Sequence, residues 1–356
     1  MSGNEMTFEL PGVRFDDLGP RRVVFFHDPK ARMHAVVVVD TLTSGPSGGG
    51  VRMTTDVTVA EIARLARAMT FKYALLSMPV GGAKAGIRFD PSDPARADVV
   101  RAFLEAAKPL IDAGVFVPGA DMGTTASDFA SSGDPHLDEQ LTGYGVVAAA
   151  KSAAELAGRS LEGARVAIEG FGKVGTAAAR FFVREGAEIV AVSTVRAAIT
   201  AKDGLDVERL AALREEHGDA GLERAPGVQV LPREALFTVP CDVLVPGARP
   251  DAIHAGNVDD VEASIIVPGS NAPYAPGTLE SLDARGVIAI PDFVANAGGV
   301  LATICALQGF GEDAAHGLVR DLIGRNVKRV IERARERRLL PYAAAIEIAR
   351  EQIANR

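Results

Sequence analysis

Apolar residues fall into short continuous runs in some parts of this chain and into helix-spaced stripes in others. Val23–Phe26 and Ala35–Val39 are β-rich runs joined by His27-Asp-Pro-Lys-Ala-Arg-Met33, a spacing that predicts a hairpin. A glycine-rich stretch from Ser44 to Gly50 follows. Thr58, with Glu61 three residues later, has the form of a capping box and opens a helix. Leu65, Met69 and Leu76 lie on one stripe of it, at intervals of four and seven. Asp98 to Ile111 reads as a second amphipathic helix. From about Leu141 the texture changes. The alanine-rich segment Val146 to Leu156 is helical, and Val166–Ile168, Ile189–Val192, Val243–Val245, Ile265–Val267 and Val287–Ile290 are short apolar runs separated by helical segments. That alternation predicts a parallel, doubly wound sheet. The tail from Gly317 to Arg356 reads as charged amphipathic helix. The expected class is α/β with two domains, 1–135 and 136–334, and a C-terminal helix 335–356 packing back on the first.

One turn between two of these runs carries chemistry. Val166-Ala-Ile-Glu leads into Gly170-Phe-Gly-Lys-Val-Gly175, a helical face of Val174, Ala178, Phe181 and Phe182 follows, and Gly186 ends it before the next strand. A GxGxxG motif means little outside a strand–turn–helix–strand setting, and this one has it. Gly170 permits the tight turn, Gly172 admits a pyrophosphate to the backbone, and Gly175 allows close helix–strand packing. Phe171, Lys173 and Val174 complete the loop, and the unpaired N–H groups of the helix start attract phosphate. The domain is expected to bind NAD or NADP. The acidic residue expected about 20 positions on, to hold the ribose 2′-hydroxyl, is missing. Thr194 ends the second strand and Arg196 lies two residues on, a seat for a 2′-phosphate that tips the expectation slightly towards NADP.

Composition narrows the class. A net charge of −8 argues against a nucleic-acid groove. Cys241 and Cys305 are the only cysteines, and no zinc-ligand spacing exists, so no metal is expected. No run approaches the ~20 apolar residues of a membrane span. Met1 to Leu10 lack the basic start and apolar core of a signal peptide, so the expected location is the cytoplasm.

Two lysines stand out. Lys72 lies on the apolar stripe of its helix, where a lysine without a partner is rare and a snorkelling one is the ordinary reading. Lys84 sits in Pro79-Val-Gly-Gly-Ala-Lys-Ala-Gly86, which reads as a loop whose glycines allow close approach. Asp121 lies in the glycine-flanked turn Pro118-Gly-Ala-Asp-Met-Gly-Thr124. A lysine acts as a base only when burial and nearby cations depress its pKa, and Lys72 is expected to be that neighbour for Lys84.

These segments together resemble the glutamate/leucine/phenylalanine/valine dehydrogenase family. The resemblance rests on Gly48-Gly-Gly-Val-Arg-Met53, Met69-Thr-Phe-Lys72, Pro79 to Lys84, Gly119-Ala-Asp-Met-Gly123, Thr142-Gly143, Gly170 to Gly175 and Pro291-Asp-Phe-Val-Ala-Asn-Ala-Gly-Gly299. These run in family order over most of the chain. The resemblance implies an N-terminal α/β substrate domain, a Rossmann-type dinucleotide domain, an active site in the cleft between them, and a homo-oligomer. It implies oxidative deamination of an amino acid to a 2-oxo acid and ammonia. Lys72 would bind the α-carboxylate with Gly49 and Gly50, Lys84 would act on the water that adds to the imine, and Asp121 would move protons at the amino group. Gly48, Met69, Gly119, Asn271, Asn296, Val300 and Thr303 match positions near the substrate. Thr142, Gly247, Ala248, Asn271 and Asn296 match positions near the cofactor.

The chain also departs from its relatives. Glutamate-specific members resembling it carry a lysine at the position of Gly48 to meet the side-chain carboxylate, and a buried carboxylate without a cation is costly. An apolar substrate, branched or aromatic, is therefore expected. The short N-terminus and the alanine after Lys84 look like the leucine, phenylalanine and valine branches. Pro268-Gly-Ser-Asn-Ala-Pro273, Pro291 to Asn296 and the hydroxyl of Thr303 look more like glutamate enzymes. Glutamate dehydrogenase is thus the alternative, and a non-catalytic dinucleotide-binding regulator, which would need none of Lys72, Lys84 and Asp121, is the alternative of another class.

Overall fold

The computed structural model describes residues 9–43, 45–129 and 135–355. Most of the Met1–Leu10 segment, Ser44 and the approach to the expected domain boundary lie outside the described residues. Contacts divide the chain into two units, Met1–Ser131 with Gln352–Arg356, and Ser132–Glu351. No helix among the described residues is long and apolar enough to cross a membrane.

In the first unit, β1 (Arg22–Asp28) and β2 (Met33–Val39) form the expected hairpin, with Val24 opposite Val37. β3 (Ser47–Thr54), α1 (Val59–Leu75), β4 (Gly81–Arg88), α2 (Arg96–Asp112) and β5 (Val117–Ala120) follow. The sheet runs β1-β2-β4-β3-β5, with β4 antiparallel to β2 and parallel to β3. Alternation along the strands sorts side chains onto two faces. Val37, Val51, Met53, Ala83, Ala85 and Ile87 point to one face and pack with Val99 and Phe103 of α2. Val36 and Val38 point to the other and pack with Ile62, Leu65 and Ala66 of α1.

The Pro79–Gly86 segment, expected to be a loop, and the glycine-rich stretch ending at Gly50, given no element, both contribute strands. Gly48–Gly50 lie inside β3, and Gly81–Gly86 lie inside β4, a central strand. Isolated glycines weaken strands, which hid them. Here the lack of side chains lets α1 settle onto the sheet: a Cβ at Gly82 would run into Thr70, and one at Gly86 would lie 2.7 Å from Ile62. The start of α1 is also half of what was expected. The Thr58 hydroxyl accepts from Glu61 N at 3.2 Å, but the Glu61 carboxylate takes Arg52 as its partner.

The second unit contains α3 (Pro135–Leu156), β6 (Arg165–Glu169), α4 (Lys173–Arg184), β7 (Glu188–Ser193), β8 (Ala198–Thr200), α5 (Val207–His217), β9 (Gln229–Leu231), β10 (Val243–Pro246), β11 (Ile265–Ile266), α6 (Thr278–Ala284), β12 (Ile288–Ala289), α7 (Asp292–Ala295), α8 (Gly298–Gln308), α9 (Glu312–Arg337) and α10 (Pro341–Ala354). Its sheet runs β12-β11-β10-β6-β7-β8-β9. The five strands from β12 to β7 are parallel, as the apolar runs predicted. β8 and β9 are antiparallel additions too short to register in the sequence. The expected single C-terminal helix is two. Arg338 takes a left-handed turn (φ 55°), Pro341 starts a new helix, and the tail groups with the second unit as far as Glu351.

Candidate active site

In the first unit, register places the chemistry. Gly50 of β3 pairs with Gly119 of β5, and Gly48 with Val117. Residues 48, 50 and 52 therefore line the face that α1 covers, together with Lys84 on the neighbouring strand. The Lys84 ammonium lies 3.1 Å from the Asp121 carboxylate, just beyond the end of β5. Arg52 donates to the same carboxylate oxygen from Nε at 2.9 Å and to Glu61 from Nη1 at 2.5 Å. Lys84, Arg52 and Lys72 are all buried, at 4%, 4% and 6% exposure, which rules out an ordinary solvated role for each. A Cβ at Gly50 would lie 3.1 Å from the Lys84 nitrogen and 2.8 Å from Asp121 Cβ, so only glycine leaves this pair room. At Gly119 a Cβ would meet nothing within 4 Å: the floor is open there. Gly49 faces away, towards Ala83, and offers only backbone to this face.

The charges tune one another. Burial depresses the Lys84 pKa below the usual lysine value; Arg52 adds to this, while Asp121 opposes it. Burial alone would raise the Asp121 carboxyl, but Lys84 and Arg52 overcome that and hold it at about 2. The result is an ionised carboxylate beside an amine that gives up its proton more easily than a surface lysine. Lys72 was expected to be the cation acting on Lys84; Arg52 takes that part. The sequence singled out Arg52 only as part of the Gly48–Met53 motif; in the structure two carboxylates, Asp121 and Glu61, fix it.

In the second unit the glycine turn has the expected form. Gly170 adopts φ +89°, and a Cβ on Gly175 would collide with the Gly170 carbonyl, so helix and strand touch backbone to backbone. Gly172 caps α4, and a Cβ there would meet nothing within 4 Å, which leaves open space at the helix start. β6 lies between β7 and β10, so the chain leaves it to one side and returns on the other, the switch point where dinucleotides bind in such sheets. Gly247 and Ala248 come from the end of β10 and approach Gly170, with Ala248 N donating to the buried Glu169 carboxylate at 3.2 Å. These residues fit a dinucleotide. Phe171 is buried, and Lys173 pairs with Glu139 at 2.6 Å. The Thr142 hydroxyl donates to the Asp138 carbonyl, and Gly299 packs against both residues. Asn296 Nδ2 donates to Asn271 Oδ1 and to the Ser270 carbonyl, both at 3.0 Å. Val300 and Thr303 lie one turn apart on α8, with Thr303 exposed.

Comparison with known proteins agrees with this reading. Residues 133–356 match the profile described as Glutamate/Leucine/Phenylalanine/Valine dehydrogenase, and residues 20–134 match the dimerisation domain of the same family. The chain belongs to this family. It is 34% identical to a glutamate dehydrogenase of Thermotoga maritima over 315 residues, 79% of this chain and 75% of that one. It is 34% identical to an NADP-specific glutamate dehydrogenase of Saccharolobus shibatae over 285 residues, covering 73% and 67%. Among solved structures, hetero-hexameric glutamate dehydrogenase from Thermus thermophilus in its leucine-bound form superposes with a TM-score of 0.82 at 27% identity, over 94% of this chain and 88% of that one. L-tryptophan dehydrogenase from Nostoc punctiforme shares the fold, with a TM-score of 0.69 at 24% identity over 95% and 98%. The protein is an amino acid dehydrogenase that uses NAD or NADP.

Two family positions differ from expectation. At Gly48, where glutamate-specific members place lysine, the space is not empty: a Cβ would lie 2.6 Å from the Tyr73 hydroxyl oxygen, brought there by α1. At the second strand's end, Arg196 does not wait free for a phosphate. Its Nε donates to Glu223 at 2.8 Å, a residue from the single turns that follow α5. Glu223 lies 27 positions beyond Arg196, so no motif could reveal the pair.

Proposed function

We propose that this dehydrogenase oxidatively deaminates an L-amino acid with an uncharged, apolar side chain, branched or aromatic, to its 2-oxo acid and ammonia. The observation that carries this is the buried Lys84–Asp121–Arg52 cluster over a glycine floor in which residue 48 has no side chain. Lys72 holds the α-carboxylate, its charge matched by the substrate's. Asp121, ionised at neutral pH, takes a proton from the substrate ammonium. A bound dinucleotide would supply the acceptor for the hydride that leaves Cα, which gives the iminium. Lys84, its pKa depressed, removes a proton from water as the oxygen adds to the iminium carbon. Lys84 passes that proton to solvent, Asp121 returns its own proton to nitrogen, and Lys84 takes the remaining hydroxyl proton as the C–N bond breaks, so that ammonia leaves and the 2-oxo acid remains. Gly170, Gly172 and the start of α4 would hold the pyrophosphate, and Thr142, Asn271 and Asn296 would contact the rest of the cofactor. The dimerisation-domain match of residues 20–134 supports a homo-oligomer.

Glutamate is the second reading, favoured by the names of the relatives. It needs a cation at the end of the side chain, and Arg52 is already committed to two carboxylates. A panel of amino acids assayed with both cofactors decides between them. A kcat/KM for glutamate above those for valine, leucine and phenylalanine refutes the proposal. Lys84→Ala should lower kcat by about 10²–10⁴-fold, the usual worth of a proton-transfer group, while NAD(P)H binding persists. Near wild-type turnover in that variant removes Lys84 from the mechanism.

A further inference from the structure

The floor on which the amino acid is proposed to lie has two ends. Along β3 the residues facing α1 are Gly48, Gly50 and Arg52. At the Arg52 end, the guanidinium, Asp121 and Glu61 fill the space with a closed set of ion pairs. At Gly50 the floor is bare beside the reacting pair, and it stays open at Gly119 on the next strand. A substrate whose α-carbon sits at Lys84 and Asp121 therefore extends its side chain the other way, towards Gly48. Two strand residues further on, about 7 Å by the rise of a β-strand, it meets the Tyr73 phenol. The hydroxyl oxygen stands 2.6 Å and Cζ 3.4 Å from where a Cβ at Gly48 would be. Tyr73 is buried on α1, directly after Lys72 and one turn on from Met69.

We propose that Tyr73 is the specificity-determining residue of this enzyme: its ring closes the side-chain end of the substrate site and restricts it to short, uncharged side chains of the valine and leucine class. This rests on the proposed placement of the amino acid over Gly50, and it narrows the apolar class to its shorter members. A branched aliphatic side chain ends before the phenol. A phenyl or indole ring reaches several bonds further and meets it. Burial pushes the phenol up to about 12, so it stays neutral across the working pH range and gives a carboxylate no counter-charge. A lysine placed at residue 48 would put its Cβ 2.6 Å from the Tyr73 oxygen, so a lysine there and a tyrosine at residue 73 exclude each other.

The test is the ratio of kcat/KM for valine to that for phenylalanine in the full-length enzyme, with folding followed by thermal unfolding. Wild type should favour valine and leucine over phenylalanine, tryptophan and glutamate. Tyr73→Ala should shift the ratio towards phenylalanine by at least about tenfold, the scale on which an apolar pocket discriminates. Tyr73→Leu, which keeps more of the packing, should shift it the same way if the alanine variant does not fold. Tyr73→Phe preserves the ring and should leave the ratio unchanged. A wild type that prefers phenylalanine, or a folded Tyr73→Leu with an unaltered ratio, overturns the inference. A kcat/KM for glutamate above those for all the apolar amino acids would instead overturn the proposed function, and that failure is distinct from a preference for phenylalanine or an unaltered ratio in Tyr73→Leu.

Discussion

Arg52 offers the sharpest test of how the cluster works, because it touches the reacting groups only through Asp121. Arg52 and Lys84 reach the same oxygen of Asp121, at 2.9 and 3.1 Å, so their nitrogens lie no more than about 6 Å apart. Two unit charges at that distance, with an effective dielectric constant of about 20, repel by about 3 kcal/mol. That repulsion lowers the Lys84 pKa in the same direction as burial does. Arg52→Gln keeps a donor for Asp121 and removes the charge. The sign follows directly: losing a nearby cation stabilises the Lys84 ammonium, so its pKa rises. Deamination needs the neutral amine, so the ascending limb of the kcat/KM–pH profile should move to higher pH. Arg52→Lys should bring it back towards wild type. Removing one partner from a buried ion-pair network also costs about 3–5 kcal/mol, so the melting temperature of Arg52→Gln should fall. A uniform loss of activity with an unmoved pH profile would show that Arg52 only supports the fold, and would refute the reasoning.

The dinucleotide turn and the ribose site give two further expectations. Gly172→Ala should fold normally, since a Cβ there meets no protein atom within 4 Å, yet weaken NAD(P)H binding as measured by fluorescence titration; Gly175→Ala should destabilise the unit, because its Cβ strikes the Gly170 carbonyl. Equal melting temperatures for the two variants would contradict this. Glu223→Gln should free the Arg196 guanidinium and tighten NADPH relative to NADH by about tenfold, the worth of one charge-assisted contact. An unchanged ratio of dissociation constants would place this ion pair outside the ribose site.

Much of the second unit was legible because its strands are continuous apolar runs and its turn is fixed by backbone constraints that only glycine meets. Gly170 and Gly175 behave as their places in the motif require. The first unit was harder to read. β3 and β4 carry glycines where strands usually carry branched side chains, and the reason lies in three dimensions: α1 crosses above them. Lys84 and Asp121 could be picked out from their settings, but their partner could not. Arg52 is one basic residue in a strand whose register with β5, unknown from the sequence, sets it opposite Asp121. Glu223 and Tyr73 were invisible for the same reason, since each acts on a residue far from it in the chain.

The two members of the reacting pair do not rest on equally firm ground. Lys84 belongs to a strand bonded on both sides, to β2 and β3. Asp121 follows β5, a four-residue strand at the sheet edge that, among the described residues, pairs with β3 alone. Regions with few bonded neighbours open at lower free energy than the core they adjoin. Fraying of β5 therefore separates carboxylate from amine while the rest of the sheet stays intact. Competence for proton transfer is a local property of that edge, and on warming it fades before the fold itself gives way.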